Sequence, residues 1–517
     1  MKIKAIIYPI LAILIGSCEK SFLQRNNPNN IAEDLFYQNE QDATLGLYGV
    51  YDALQNNQLY GNFFNLLDEI SDNGTNGNAT NGFREMEESA HTPLNVRIQN
   101  IYTHLYNVVR QANYVIAKVG EMNSGQISDA AKSRIIAEAS VLRALAYFHL
   151  VNLYRDVPFY TESVTAFTEG KGPTSRADIY KFLKEDLAKN ISALPAVIPP
   201  NEAGRTGRAA AIALLGKVHL FDHEFDKASA QLGRLFDSQF QLALYPDYTT
   251  LFLPYPEAEF SSEILLQVNF VNDGAENGEN FSLRIDPAAQ PIKPRQYFTP
   301  NAALVNSYLY TDGRPFANSD LYGTRSPLYV ASGPNRYRDR DPRLRASVLT
   351  QLDVLPDGKK LWNFNGGANQ ASDFAIKKYL EVTSTQYEAN RGPQNAYILR
   401  YADALLMYAE ATNEVKGPVD SVYWAVNQIR NRVGMPDYPD GLTKEQMRQM
   451  IRDERRWELA FESHRLFDLK RWGILKEALE GSGIAKKKFN DPRDWYWPIP
   501  QTELDNNPNM RQATEWQ

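Results

Sequence analysis

Glu454, Glu458 and Glu462 recur every four residues, a spacing that sets three carboxylates on one face of a helix. Two carboxyl groups about 5–9 Å apart are what glycoside hydrolysis needs. Arg452, Arg455, Arg456 and Arg465 stand beside them, however. Guanidinium groups keep carboxylates ionised and paired, the opposite of a general acid with a raised pKa. The pattern predicts a structural ion-pair network that ties the last helices together, not an enzyme. His219 and His223 have the i, i+4 spacing of a zinc pair, but Leu220 follows the first and Glu224 the second, so HExxH is not met. With no third ligand in view, they read as polar residues in a repeat turn. The run Asp68–Asn78 is dense in oxygen atoms that suit Ca²⁺. It lacks the spaced acids and final Glu of an EF-hand loop and is expected to be a plain surface loop. No cofactor and no metal are expected.

Cys18 is the one cysteine of the chain. Lys2 and Lys4 precede an uncharged run, Ala5 to Ile15, which ends at Gly16-Ser17-Cys18. The run is shorter than the roughly 20 residues of a membrane-spanning helix and has the form of a secretory signal. Small residues before Cys resemble the bacterial lipobox, which implies cleavage before Cys18 and lipid on its thiol. Two or three acyl chains, at about 0.8 kcal/mol per buried methylene, anchor a protein durably. Without residues 1–17 the chain has 500 residues, and losing Lys2 and Lys4 moves its formal charge from −7 to −9. That balance argues against nucleic acid as partner. No second apolar run is read as long enough to cross a membrane. The 29 Tyr, 24 Phe and 7 Trp suit surfaces that are apolar on one side and wet on the other, or a core.

The elements that must position these groups are mostly helical. Patterning starts near Gln41. Ile98, Ile101, Leu105, Val108, Ala112, Val115 and Val119 form one apolar face of a helix over 96–119. Ser128 caps the next, which carries Ile135, Ala139, Leu142, Ala146 and Leu153; a third starts near Thr174 or Ser175 and stops before Pro195. In 209–236, Ile212, Leu215-Gly216, His219, Phe225, Ala228 and Leu232 fall on tetratricopeptide spacing, with Gly216 and Ala228 letting two helices approach closely. Residues 240–395 are rich in Gly, Asn, Asp and Pro. Glu263–Phe270 and Phe374–Tyr379 read as strands, and 272–280 and 311–343 as loops. Helices return at Tyr397–Glu414 and after Gly417-Pro418, and Thr443 with Gln446 forms a capping box.

Ile398-Leu399-Arg400-Tyr401-Ala402-Asp403-Ala404-Leu405-Leu406-Met407-Tyr408-Ala409-Glu410-Ala411 closely resembles the most characteristic segment of the SusD/RagB family. Asn427, Ile429, Arg430, Arg432 and Gly434 follow in that family's order. So do Glu454-Arg455, Glu458-Leu459-Ala460, Glu462, Arg465, Asp468-Leu469, Arg471-Trp472-Gly473, Pro498-Ile499-Pro500, Glu503-Leu504, Asn507-Pro508 and Gln512. Asp341-Pro342-Arg343 matches a further element, and Cys18 with Phe22-Leu23 is similar to the family's start. The resemblance implies a mainly α fold: a tetratricopeptide-like helical-repeat scaffold (an α–α superhelix) with a loop-rich, partly β insertion. It implies a lipoprotein on the outer membrane of Bacteroidota, facing outward. Such a protein closes as a lid over a TonB-dependent SusC-like transporter and binds oligosaccharides or, in some members, peptides, without enzymatic activity.

The chain accordingly divides into a signal peptide (1–17), a lipid-anchored tether (18–31), an N-terminal helical-repeat region (32–240), a loop-rich ligand-binding region (241–395) and a C-terminal helical region (396–517). In the family the loop after the first helical segment helps line the ligand site, which makes Asp72, Asn73, Phe83 and Arg84 candidates. Arg295, Tyr297 and Phe298 fall where members often contribute contacts. Trp362 and Phe364, with Asn363 beside Gly366-Gly367, form another cluster of the needed kind. Aromatic faces stack on the C–H face of a sugar ring, and amides, carboxylates and arginines hydrogen-bond its hydroxyls. The alternative reading is a peptide- or protein-binding helical-repeat lipoprotein without glycan affinity.

Overall fold

The computed structural model describes residues 36–76, 82–164, 169–273, 277–285, 298–316, 339–350, 374–380 and 391–517. Cys18 lies outside them. Helix α1 (Glu40–Gln55) opens on a capping box made by Asn39 and Asp42. Helix α2 (Val96–Glu121) buries the predicted stripe Ile98, Ile101, Leu105, Val108, Ala112, Val115 and Val119. Ser128 caps α3 (Asp129–Tyr154) by accepting from the Ala131 amide, and Ser175 caps α4 (Arg176–Asn190) through the Asp178 amide. Helix α3 corrects one expectation. It is long and apolar enough to cross a bilayer, yet 94% of its most apolar window is buried inside the protein. It is the central helix of the scaffold.

Helices α5 (Arg208–Phe221) and α6 (Phe225–Gly233) form the predicted repeat pair. A Cβ on Gly216 would lie 2.5 Å from Leu232 Cγ, so only glycine allows this approach. Each helix packs on the next, α2 on α3, α3 on α4, α4 on α5 and α5 on α6. The stack then continues into α7 (Tyr401–Lys416), which packs on α6 and carries α8 (Asp420–Arg432) and α9 (Lys444–Glu458). Residues 234–400 are thus an excursion from one continuous helical stack. Thr443 and Gln446 make the expected capping box on α9, and α10 (Arg465–Arg471) follows.

The excursion is held by two-stranded pairs: β1 (Gly74–Asn76) with β5 (Phe298–Pro300), β4 (Ile264–Val268) with β8 (Ala396–Arg400), and β6 (Val348–Thr350) with β7 (Phe374–Ile376). β2 (Val157–Pro158) and β3 (Pro173–Thr174) pair within the helical half. Tyr397–Arg400, expected to begin a helix, is strand instead, because β4 supplies its ladder. Pro342–Ser347, which overlaps only the end of the stretch 311–343 expected to be loop, is a short helix capped by Asp341. One apolar cluster runs from Tyr37 to Met510 through both halves, and a smaller one lies between α7, α8 and α9.

Candidate functional site

The described parts of 63–87, with β1 and β5, form a packed floor from which two of the candidate stretches set out. Phe63–Ile70 is a 3-10 helix, and β1 follows it. β1 runs antiparallel to β5, with Gly74 opposite Pro300, Thr75 opposite Thr299 and Asn76 opposite Phe298. A Cβ on Gly74 would lie 2.0 Å from the Phe298 ring, so the glycine lets the ring pack directly on the strand. The chain leaves this pair at Asn76 and re-enters it at Phe298. The described candidates Asp72, Asn73 and Phe298 therefore stand at or next to this one strand pair. Thr350 is likewise opposite Phe374. The described strands on either side of 351–373 are thus paired with each other, and β7 lies against β5. Arg295, Tyr297, Trp362 and Phe364 themselves lie outside the described residues.

The described candidates serve the floor rather than an open face. Phe83 and Phe298 are fully buried, and Phe298 meets Phe461 edge-on with centroids 5.4 Å apart. Asp72 accepts from Arg465 Nε at 2.8 Å and Nη2 at 3.0 Å, and Arg456 Nη2 lies 3.0 Å away. Burial alone would raise its pKa, but Arg456 and Arg465 outweigh burial and hold the carboxyl at about 2. Asn73 Oδ1 accepts from Arg456 Nε at 2.9 Å. Arg84 is the exposed member and pairs with Glu88 at 2.8 Å.

The expected surface loop at Asp68–Asn78 is interior over its described part. Asp68 and Glu69 are completely buried. Burial pushes Asp68 up to about 6, while it accepts from the Phe461 amide at 2.9 Å. Glu87 is held by Lys486 at 2.7 Å and Lys487 at 3.2 Å. His219 is committed to Glu224 at 2.6 Å, and His223 sits in a left-handed turn (φ 58°) edge-on to Phe225.

Glu454 and Glu458 lie on α9, while Glu462 lies in the turn after it, and all three enter one ion-pair network. Glu458 accepts from Arg432 at 2.6 Å and from Arg400 at 3.1 Å, with Arg343 at 3.4 Å. Glu454 accepts from Arg343 at 2.6 Å and Arg430 at 3.0 Å. Arg400 also reaches Glu263 and, at 2.7 Å, Glu462, which Lys378 meets at 2.7 Å. Burial would raise the pKa of Glu458, but Arg432, Arg400 and Arg343 hold it at about 2. Burial likewise opposes ionisation of Glu462, and Arg400 and Lys378 depress it on balance. A carboxylate so held cannot lend a proton near neutral pH. The sequence showed the acids, but the arginines expected to hold them pair elsewhere: Arg455 with Asp403 and Asp468, and Arg456 and Arg465 with Asp72, while Arg452 lies over the Trp472 ring. The cations that hold the three acids, Arg343, Lys378, Arg400, Arg430 and Arg432, come from other elements, and no local pattern announces them.

This architecture has many relatives. A model described as the SusD family matches residues 262–516, and one described as starch-binding associating with outer membrane matches residues 21–220. A SusD-like protein of Formosa agariphila is 29% identical, with 99% of this chain and 98% of the relative aligned. A solved SusD-like carbohydrate-binding protein of Bacteroides fragilis superposes with a TM-score of 0.80 at 25% identity, over 92% of this chain and 100% of that one. A laminarin-binding SusD-like protein gives 0.74 at 25% identity over the same shares. The two family models between them take in both the repeat helices and the ion-paired C-terminal half, and the chain belongs to the SusD/RagB family.

Proposed function

We propose that the protein binds a glycan, an oligosaccharide or polysaccharide, at the cell surface and delivers it to a TonB-dependent SusC-like transporter of the outer membrane. The observation that carries the reading is likeness over nearly the whole chain to proteins of one family, with solved members named for carbohydrate and laminarin binding. The lipobox-like Gly16-Ser17-Cys18 supports lipid anchoring, with the globule facing outward. Ligand contact falls to Arg295, Tyr297, Trp362 and Phe364, with Arg84 at the rim. Aromatic rings would cover the C–H face of a sugar, and arginine would donate to its hydroxyls. The buried floor fits this role, because a rigid base spares the complex an ordering cost. No bond is broken and no cofactor is needed.

The test is retention of the soluble chain, lacking residues 1–18, on a polysaccharide panel in affinity gels and calorimetry. Binding without hydrolysis, with retention on the gel lost on Tyr297→Ala or Trp362→Ala, is the expected result. Failure to bind any glycan, with a peptide bound instead, overturns it. Cys18→Ala should release the full-length protein from the membrane fraction, and a barrel protein should co-purify with the wild type in detergent.

A further inference from the structure

A cleft of about 380 Å³ opens between α1, the turn before α5 and the end of β4. It shares no lining residue with the floor described above. Its volume falls within the roughly 300–1,000 Å³ of small-molecule sites. Tyr48, Asp52 and Gln55 reach it from one face of α1, at the i, i+4, i+7 spacing of a helical stripe. Tyr48 is 46% exposed, an open aromatic surface at the mouth. Gln267 and Asn269 come from the strand side. Gln267 is only 4% exposed, and its Oε1 has no hydrogen-bond partner among the described residues; the same holds for Asn269 Oδ1. Buried acceptors are seldom left without a donor.

The charges around the cleft narrow the ligand. Arg205 is spent on Glu138 at 2.6 Å and Glu202 at 2.8 Å, and Glu202 is also held by Arg134 at 2.8 Å. Asp52 has no ion pair among the described residues. The lining groups not committed to an ion pair are the amides of Asn201, Gln267 and Asn269, the Asp52 carboxylate and the face of Tyr48. They call for many O–H donors, one apolar C–H face and no negative charge. An anion would face Asp52 with no free guanidinium to offset it.

We propose that this cleft is a second ligand site, taking a neutral saccharide unit and rejecting acidic sugars. The inference stands on residues separate from the candidates Arg295, Tyr297, Trp362 and Phe364.

The test uses the soluble chain carrying Tyr297→Ala and Trp362→Ala, so that the cleft is read alone. Cellobiose, maltose, laminaribiose and digalacturonate are titrated by calorimetry and ligand-observed NMR. At least one neutral disaccharide should bind with a Kd of about 1 mM or tighter. Digalacturonate should bind at least about tenfold more weakly, and Asp52→Asn should narrow that gap. Tyr48→Ala changes an exposed side chain, so the fold should persist, and affinity for the neutral sugar should fall about tenfold. No binding by any neutral disaccharide, binding indifferent to both Tyr48→Ala and Asp52→Asn, or equal affinity for digalacturonate each overturns the proposal. Failure of the loop-bearing site shows differently. There, the chain with only Tyr297→Ala and Trp362→Ala would retain polysaccharide as the wild type does, and would lose it on adding Tyr48→Ala.

Discussion

Glu458→Gln changes almost no volume and removes one charge from the centre of the ion-pair network. Five cations (Arg343, Lys378, Arg400, Arg430 and Arg432) face five carboxylates (Glu263, Asp341, Glu454, Glu458 and Glu462), and every side chain is 3% exposed or less. The formal charges cancel, and the substitution leaves one cation unbalanced where water cannot reach. It also points an amide N–H₂ at Arg432, Arg400 or Arg343, none of which can accept a hydrogen bond. Breaking a buried pair by removing one partner costs about 3–5 kcal/mol. Unfolding entropy is about 2.1 cal/mol/K per residue, so a chain of this length carries about 1 kcal/mol/K at the midpoint. The melting temperature should therefore fall by about 3–5 °C in calorimetry at pH 7. High salt should restore little of the loss, since buried pairs are weakly screened. Adding Arg432→Met removes an uncompensated charge, so the double variant should be more stable than the two losses added together. A shift below about 1 °C, or strict additivity of the pair, would refute the view that the network acts as a charge-balanced unit.

Two other substitutions probe packing and burial. Gly216→Ala drives a methyl into Leu232 Cγ at 2.5 Å. Overpacking costs about 1–3 kcal/mol and outweighs most of the roughly 1 kcal/mol that alanine returns in helix propensity. Thermal unfolding should show a small loss, and Leu232→Ala, itself costly at a fully buried site, should cost less in the Gly216→Ala chain than in the wild type; a more stable single variant contradicts the close contact. Glu279 is pushed up to about 7 by burial, against opposing hydrogen bonds from Ser282. Its folded pKa lies above the unfolded value near 4.3. Its contribution is thus fully present below about pH 4 and lost as pH rises through about 7. Glu279→Gln abolishes that titration, so its stability relative to wild type should climb from pH 4.5 to pH 8, by up to about 3 kcal/mol. Denaturant titrations at the two pH values read the difference, and a gap that does not change with pH contradicts it.

Where structural signals are local, the sequence displays them. Ser128, Ser175 and the Thr443–Gln446 box sit within one turn of what they cap, and Gly216 lies one short hairpin from Leu232. Where the deciding partner is distant, residue type misleads. Tyr397–Arg400 has the apolar character of either a helix or a strand, and β4, far upstream, makes it strand. The oxygen-rich run at Asp68 looks solvated, yet Arg465, 393 residues later, lets Asp72 lie buried. Phe83 and Phe298 are the right rings for a sugar platform, and a ring is chemically the same in a core. The cleft beside Tyr48 joins three stretches with no shared pattern, so no motif announces it.

The position of Arg400 links the network to the way ligand loops can be carried. Glu263 stands just before β4, where the chain sets out on its main excursion, and Arg400 ends β8, where it returns to the stack. Arg400 bonds Glu263 directly and joins both ends of the excursion to Glu458 on α9 and Glu462 beyond it. The Tyr401 amide donates to the Glu263 carbonyl at 2.7 Å, closing the same junction through the backbone. The stretch between β4 and β8 is therefore fixed at both ends by the scaffold, and Arg343 and Lys378 tie it to Glu454 and Glu462 along the way. Closing a loop between fixed ends costs only about 0.6 kcal/mol more for each doubling of its length. Its sequence can then be set by the ligand, and the price of a long, polar, aromatic-bearing stretch is met at its base by buried charge.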